Sequence, residues 1–136
     1  MAKFEIAFEL REPIEGGYSN EPEDSGNWSS GVEGKGELLG TNRGVCCYEY
    51  AKLLGRNPTI EEMKNMPREK AMQHFQNEVW AKMRGDEILN QEIANSIYDS
   101  CVNMGVGTGI KLAQRSAGLP ETGKMDDTTL HSLNNQ

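Results

Sequence analysis

Between Gly16 and Gly44 the chain places eight of its 15 glycines. A helix does not survive that density, because glycine surrenders more backbone entropy on folding than any other residue. The stretch is also too poor in large apolar side chains to bury a core of its own. It has to be irregular or a small β-hairpin, and the flanking segments have to supply the core. A loop of this length in a small chain is either functional or disordered. It opens as Glu15-Gly16-Gly17-Tyr18-Ser19-Asn20-Glu21-Pro22 and continues through turn-forming polar residues to Gly26. Two glycines free to take positive φ, followed by surface turn chemistry, place the Glu15 carboxylate at the lip of a cleft.

The flanks read as helices. Lys3 to Ile14 carries Phe4, Ala7, Phe8 and Arg11 on one face, with Ile6, Leu10 and Ile14 widening it. Pro13 removes a backbone donor and loosens the last turn before Glu15. After the loop, Val45 to Leu54 is predicted helical and Gly55 caps it. Thr59 and Glu62 have capping-box spacing. Pro67 suits the first position of a helix reaching Met83, whose apolar face is Ala71, Met72, Phe75, Val79, Trp80 and Met83. Gly85-Asp86 breaks the pattern. Asn90 to Asn103 follows as the most apolar helix, with Ile93, Ala94, Ile97, Cys101 and Met104 as its stripe. Gly105-Val106-Gly107 separates it from a helix capped by Thr108 and running from Gly109 to Ala117. Asp126 caps a last helix, Asp127 to Leu133, with Met125, Leu130 and Leu133 facing the core. The class is mainly α, with six or seven helices and a glycine-rich loop or small β-hairpin after the first.

Length and charge narrow the function. A chain of 136 residues suits one domain with one core. A net charge of −7 argues against nucleic-acid binding, which wants a basic stripe, and also disfavours nonspecific adhesion to an anionic cell wall. No apolar run is long enough to span a bilayer, so no membrane partner is expected. The acidic start Met1-Ala2-Lys3-Phe4-Glu5-Ile6 does not read as an export signal. Three cysteines, two of them adjacent, give no disulfide framework and no zinc spacing, and no metal or cofactor is expected. The glycines from Gly105 to Gly109 lack the strand and the Lys-Ser/Thr of a phosphate loop.

Four stretches then carry a resemblance to the glycoside hydrolase family 108 muramidases, a lysozyme-like group. Phe4 to Asp24 is similar to the family's helix followed by E-G-G-Y-x-N-x-P-x-D. Gly26-Asn27-Trp28 and Gly40-Thr41-Asn42-Arg43-Gly44-Val45 are similar to its G-G…T-x-x-G-I. Val79-Trp80 to Gly85-Asp86-Glu87 resembles Y-W-x-x-x-x-G-D-x. Tyr98 to Gly105, with Ala113-Gln114-Arg115, resembles D-x-x-V-N-x-G…L-Q-R. The blocks occur in the family order and span nearly the whole chain. Asn27, Val79, Lys124 to Asp127 and the spacer Ser29 to Gly40 depart from the pattern.

The resemblance implies a lysozyme-like domain over residues 1–136, with a catalytic half at 1–84 and a peptidoglycan-binding half at 85–136. It implies that Glu15 is the proton donor. Glycosidic cleavage needs an acid on the leaving oxygen as an oxocarbenium-like centre forms, and a glutamate serves near neutral pH when partial burial favours its protonated form. A second group must hold water or stabilise the cation. Asp24 is the first candidate, with a turn-capping acid as the alternative reading, and Thr41 is a candidate to orient water. Glu23, Glu33 and Glu37 rank below them. Tyr18, Asn20 and Trp28 are candidate substrate contacts, Trp28 either as a sugar-stacking indole or as a plug packing the loop. Asp99 and Asn103 lie four apart on one helical face, either shaping a groove or forming a buried hydrogen-bonded pair. Trp80 reads as core.

The leading expectation is an endo-acting N-acetylmuramidase acting as a monomer on peptidoglycan glycan strands. Made in the cytoplasm, it reaches the wall through holin-type release or phage-associated delivery. The alternative is a non-catalytic peptidoglycan-binding module of a virion or secretion machine. A purely structural helical protein is a third, and it predicts Tyr18 and Trp28 packed away from any groove.

Overall fold

The computed structural model describes all residues, 1–136. It is mainly α, with seven α-helices and one two-stranded antiparallel sheet. The residues fall into two compact units. Met1–Arg11 and Phe75–Gln136 form the first, and Glu12–His74 form the second.

The first unit is built on aromatic side chains. Helix α1 (Phe4–Arg11) buries Phe4, Ala7 and Phe8. Helix α5 (Gln91–Met104) buries Ala94, Ile97, Tyr98 and Cys101. Phe4 meets Trp80 and Tyr98 edge-on, with ring centroids 5.9 and 6.0 Å away, and Phe8 meets Phe75 at 6.2 Å. Each large apolar side chain buried this way contributes about 1.5–3 kcal/mol. The start of the chain is stitched on by its backbone. Ala2 N–H donates to the Ile88 carbonyl at 2.8 Å, and Gln91 exchanges hydrogen bonds with both backbone groups of Lys3.

Helix α6 (Val106–Ser116) packs on α5 through Gly109. A Cβ at Gly109 would stand 2.6 Å from Cys101 Sγ and 2.7 Å from the Cys101 backbone nitrogen, so only glycine permits this approach. Helix α7 (Asp127–Asn134) starts at Asp126, whose carboxylate accepts from Thr129 N–H at 2.8 Å. Met125, Leu130 and Leu133 are buried, as its pattern predicts. The segment before it is pinned by Gln114, fully buried, with Nε2 within hydrogen-bond distance of Thr129 Oγ1 (2.9 Å), Lys124 O (3.0 Å) and Thr122 Oγ1 (2.9 Å).

The second unit holds the glycine-rich stretch. After α1 the chain makes a 3₁₀ turn at Glu12–Ile14 around Pro13. Thr41–Asn42 (β1) and Val45–Cys46 (β2) pair antiparallel, with Thr41 opposite Cys46 and Asn42 opposite Val45. The two residues between them, Arg43 (φ 52°) and Gly44 (φ 78°), both lie in the left-handed region. That is the requirement of a type I′ hairpin, whose twist matches its strands. Helix α2 (Cys47–Leu54) follows and ends at Gly55 in the left-handed conformation. The Thr59–Glu62 capping box starts α3 (Ile60–Lys64). Helix α4 (Arg68–Phe75) begins one residue after Pro67, and the chain runs on as π-helix through Gln76–Trp80.

Several expectations need correction. The α-helix stops at Arg11, because Pro13 cannot donate and disfavours helical backbone at the residue before it. Ile6, Leu10 and Ile14 do not widen a buried face; they stand exposed at 42, 62 and 67%. Val45 and Cys46 are strand, not helix, and α2 buries Cys47 and Tyr50 while Tyr48 is exposed. Met104 is exposed too. The break before α6 is Gly105 alone (φ 95°), so Gly107 and Thr108 lie inside the helix.

Candidate active site

Glu15 sits at a bend straight after the 3₁₀ turn, and its N–H donates to the Glu12 carbonyl at 3.1 Å. Its side chain is half-buried. The carboxyl rests on the hairpin tip: a Cβ placed on Gly44 would stand 2.5 Å from Glu15 Oε2 and 2.8 Å from Cδ. Gly44 is therefore glycine for two reasons, its positive φ and the carboxyl lying over its Cα. Gly16 and Gly17 differ from expectation. Neither takes positive φ, and a Cβ on either would meet no atom within 4 Å. They leave open space beside the acid rather than forcing a turn.

The next residues tie this bend to the hairpin. Ser19 forms a two-bond antiparallel bridge with Thr41, with N–H to carbonyl distances of 2.9 and 2.8 Å. The Tyr18 hydroxyl donates to the Leu39 carbonyl at 2.9 Å, and its ring lies where a Cβ of Gly40 would go. Lys64 Nζ stands 5.7 Å from that ring. Burial first, and then the Cys47 thiol, push the Tyr18 phenol above its ordinary range, which keeps it a protonated donor.

Asn27 is the buried hub of the loop. Its carbonyl accepts from Leu39 and Gly40 N–H at 2.9 and 3.0 Å, its Nδ2 donates to the Glu21 carbonyl at 3.1 Å, and its Oδ1 accepts from the Thr41 hydroxyl. The Thr41 proton is thereby committed, while the lone pairs on Oγ1 remain suited to accept from a water or a sugar hydroxyl. Asp24 caps the 3₁₀ turn Ser25–Asn27, with Oδ1 accepting from Gly26 N–H at 2.9 Å. Trp28 is half-buried, its indole donating to the Pro22 carbonyl at 2.8 Å, and it bridges Leu38. Asn20 is exposed.

Glu15, Tyr18, Asn20, Asp24, Trp28 and Thr41 therefore all belong to the second unit. Asp99 and Asn103 belong to the first. There Asp99 Oδ1 accepts from Arg11 Nη1 at 2.7 Å, and both Asp99 and Asn103 are exposed, so they are not a buried pair. Trp80 is core, with its indole donating to Asp86 Oδ1 at 2.7 Å.

Sequence reasoning missed a cluster next to the acid. Glu12, one turn before Glu15, takes Arg68 Nε at 2.7 Å and has Arg43 Nη1 at 3.9 Å. Arg43 Nε also donates to the Met66 carbonyl at 2.9 Å, and the buried Asn42 amide donates to the Met63 and Lys64 carbonyls at 2.9 and 3.2 Å. The Met63 and Lys64 carbonyls lie in the last turn of α3, where helix geometry leaves carbonyls short of intrahelical donors, and Met66 follows two residues after the helix. The only signal in the sequence was Asn-Arg-Gly at the end of the loop, a turn with an unusual residue at a left-handed position.

The half-buried Glu15 carboxyl thus sits on a bend, beside open backbone and backed by the hairpin. The glycosyl hydrolase 108 family model matches residues 12–105, and the chain belongs to that family. Its function is of the glycoside-hydrolase, lysozyme-like peptidoglycan-cleaving kind. Among solved structures, SagA of Brucella abortus is similar in fold, with a TM-score of 0.73 and 24% identity over 98% of this chain and 69% of that one. No curated protein matches the sequence.

Proposed function

We propose that this protein is an N-acetylmuramidase that cuts the β-1,4 bond between N-acetylmuramic acid and N-acetylglucosamine, with Glu15 as the general acid. The observation that carries the reading is the Glu15 carboxyl, held over Gly44 at a bend whose flanking glycines leave open space. Glu15 gives its proton to the bridging oxygen as the bond to C1 breaks, and positive charge spreads over C1 and the ring oxygen. A positioned acid of this kind contributes roughly 10²–10⁴-fold in rate.

The second role falls to Thr41 more readily than to Asp24. Thr41 has its hydroxyl proton fixed by Asn27 and is bridged to Ser19, four residues after the acid, so it offers a lone pair in a set direction. Asp24 spends a carboxylate oxygen on capping its own turn.

The test is turbidity clearance of purified sacculi by the wild type and by Glu15→Gln, both checked for folding by circular dichroism. Clearance by the wild type and none by the folded variant supports the reading. If neither clears and both pellet with the sacculi, the protein is a binding module. Equal clearance by both removes Glu15 from the chemistry.

A further inference from the structure

We infer that the hairpin tip Arg43-Gly44 is the positioning element of the acid, fixing the Glu15 carboxyl from behind. The inference rests on the Glu15 reading above and adds two residues that do not themselves touch substrate.

Three observations carry it. The Glu15 carboxyl lies against Gly44 so closely that a Cβ there would overlap it. The tip is itself anchored, with Arg43 Nε on the Met66 carbonyl at 2.9 Å and the Asn42 amide on the Met63 and Lys64 carbonyls. The other side of the contact is anchored to the same place: Glu12, whose carbonyl accepts the Glu15 N–H, holds Arg68 at 2.7 Å and lies 3.9 Å from Arg43. The end of α3 thus locates the tip, the tip locates the carboxyl, and Glu12 ties the carboxyl's own turn back to Arg43. Arg43 holds φ 52°, a conformation that is unfavourable for any side chain but glycine. Its side chain compensates by reaching the Met66 carbonyl, a tether that glycine at this position lacks.

The chain contains its own control. Gly44 has φ 78° and Gly55 has φ 76°, yet a Cβ on Gly55 would meet nothing within 4 Å. Gly44→Ala and Gly55→Ala impose the same backbone strain, but only the first pushes on the acid. Both are expected to lower Tm, Gly44→Ala by at least as much as Gly55→Ala. Only Gly44→Ala is expected to slow sacculus clearance beyond Gly55→Ala, by about 10²-fold for a misplacement near 1 Å, with pelleting on sacculi unchanged. Arg43→Gly separates positioning from stability in the other direction. It relieves the left-handed strain while releasing the tether, so Tm is expected to hold or rise while clearance slows and pelleting persists. If Gly44→Ala does not fold, Arg43→Gly decides alone. The inference is overturned if the folded variants at 43 and 44 clear as fast as wild type and Gly55→Ala while Glu15→Gln is inactive. If Glu15→Gln clears as well as wild type, the reading of Glu15 falls and this inference with it.

Discussion

The indole Nε1 of Trp80 donates to Oδ1 of Asp86 at 2.7 Å, and between them Gly85 lies so close to the ring that a Cβ would enter it. The W-x-x-x-x-G-D spacing visible in the sequence is thus a packing device. The polar edge of a buried ring is satisfied by an acid one turn beyond, and the glycine lets the backbone pass across the ring.

Asp86→Ala leaves the buried indole N–H without its partner and is expected to lower stability by about 1–3 kcal/mol. Gly85→Ala forces the ring aside and is expected to lower it by about as much or more. In a chain of this length each kcal/mol appears as roughly 3–5 °C in Tm. Differential scanning calorimetry checks both. An unchanged Tm for Gly85→Ala would show that the ring is not held against that backbone.

Asn27 joins three parts of the loop through groups that have no access to water. Asn27→Ala is expected to lower stability by about 2–3 kcal/mol, through lost hydrogen bonds and the cavity left behind. Thr41→Val removes one bond and is expected to lower it by about 1–2 kcal/mol. Urea unfolding reads both. If the two variants have equal midpoints, Asn27 does not act as the hub.

Of the carboxylates held below their ordinary range, Glu62 has the largest downward shift. Glu62 accepts from both terminal nitrogens of the Arg56 guanidinium at 2.7 and 2.8 Å and from the Thr59 N–H at 3.0 Å. Arg56 above all, then the Thr59 backbone, holds its carboxyl down from 4.5 to about 2. A folded pKa below the unfolded one means that its stabilisation is full above pH 4.5 and is lost as pH falls toward about 2. Glu62→Gln should therefore show its largest Tm deficit above pH 4.5 and converge on the wild type near pH 2. A deficit that stays constant down to that pH would contradict the linkage.

The thiols should differ in reactivity. Burial pushes the Cys101 thiol up to about 12, and Gly109 packs directly on its sulfur. Cys46 is half-exposed, though burial raises it as well. Alkylation followed by mass spectrometry is expected to label Cys46 first and Cys101 only after denaturant is added. Native labelling of Cys101 as fast as Cys46 would mean that α6 leaves α5 readily.

Local signals in the chain were legible where they were self-contained. The Thr59–Glu62 capping box, Gly55 at the end of α2, Asp126 before α7 and the apolar series from Ala71 to Met83 each depend on residues within a turn or two. The exposed Ile6, Leu10 and Ile14 were not legible. Apolar residues of helix α1 spread over a wide arc away from Glu5 and Glu9, so periodicity did not choose among them, and the buried part was settled by the aromatic rings of Trp80 and Tyr98. Gly107 misled for the opposite reason, since a glycine beside Gly105 reads as a longer break when the partner helix is unseen. In the site, Glu15 was marked by Gly16-Gly17-Tyr18, but Glu12, Arg43 and Arg68 lie far apart in sequence and carried no shared pattern.

By itself, then, the sequence determined the helical class, the caps and the glycine-rich interruption, because these rest on short-range backbone preferences. The structure chose between the two readings of Asp24, which caps its own turn, and only the tertiary structure decided that Thr41 is held by Asn27 and that the Glu15 carboxyl rests on Gly44. The last two relations join residues 14 and 29 positions apart. Propensity says nothing about which distant hydrogen bond wins; packing does.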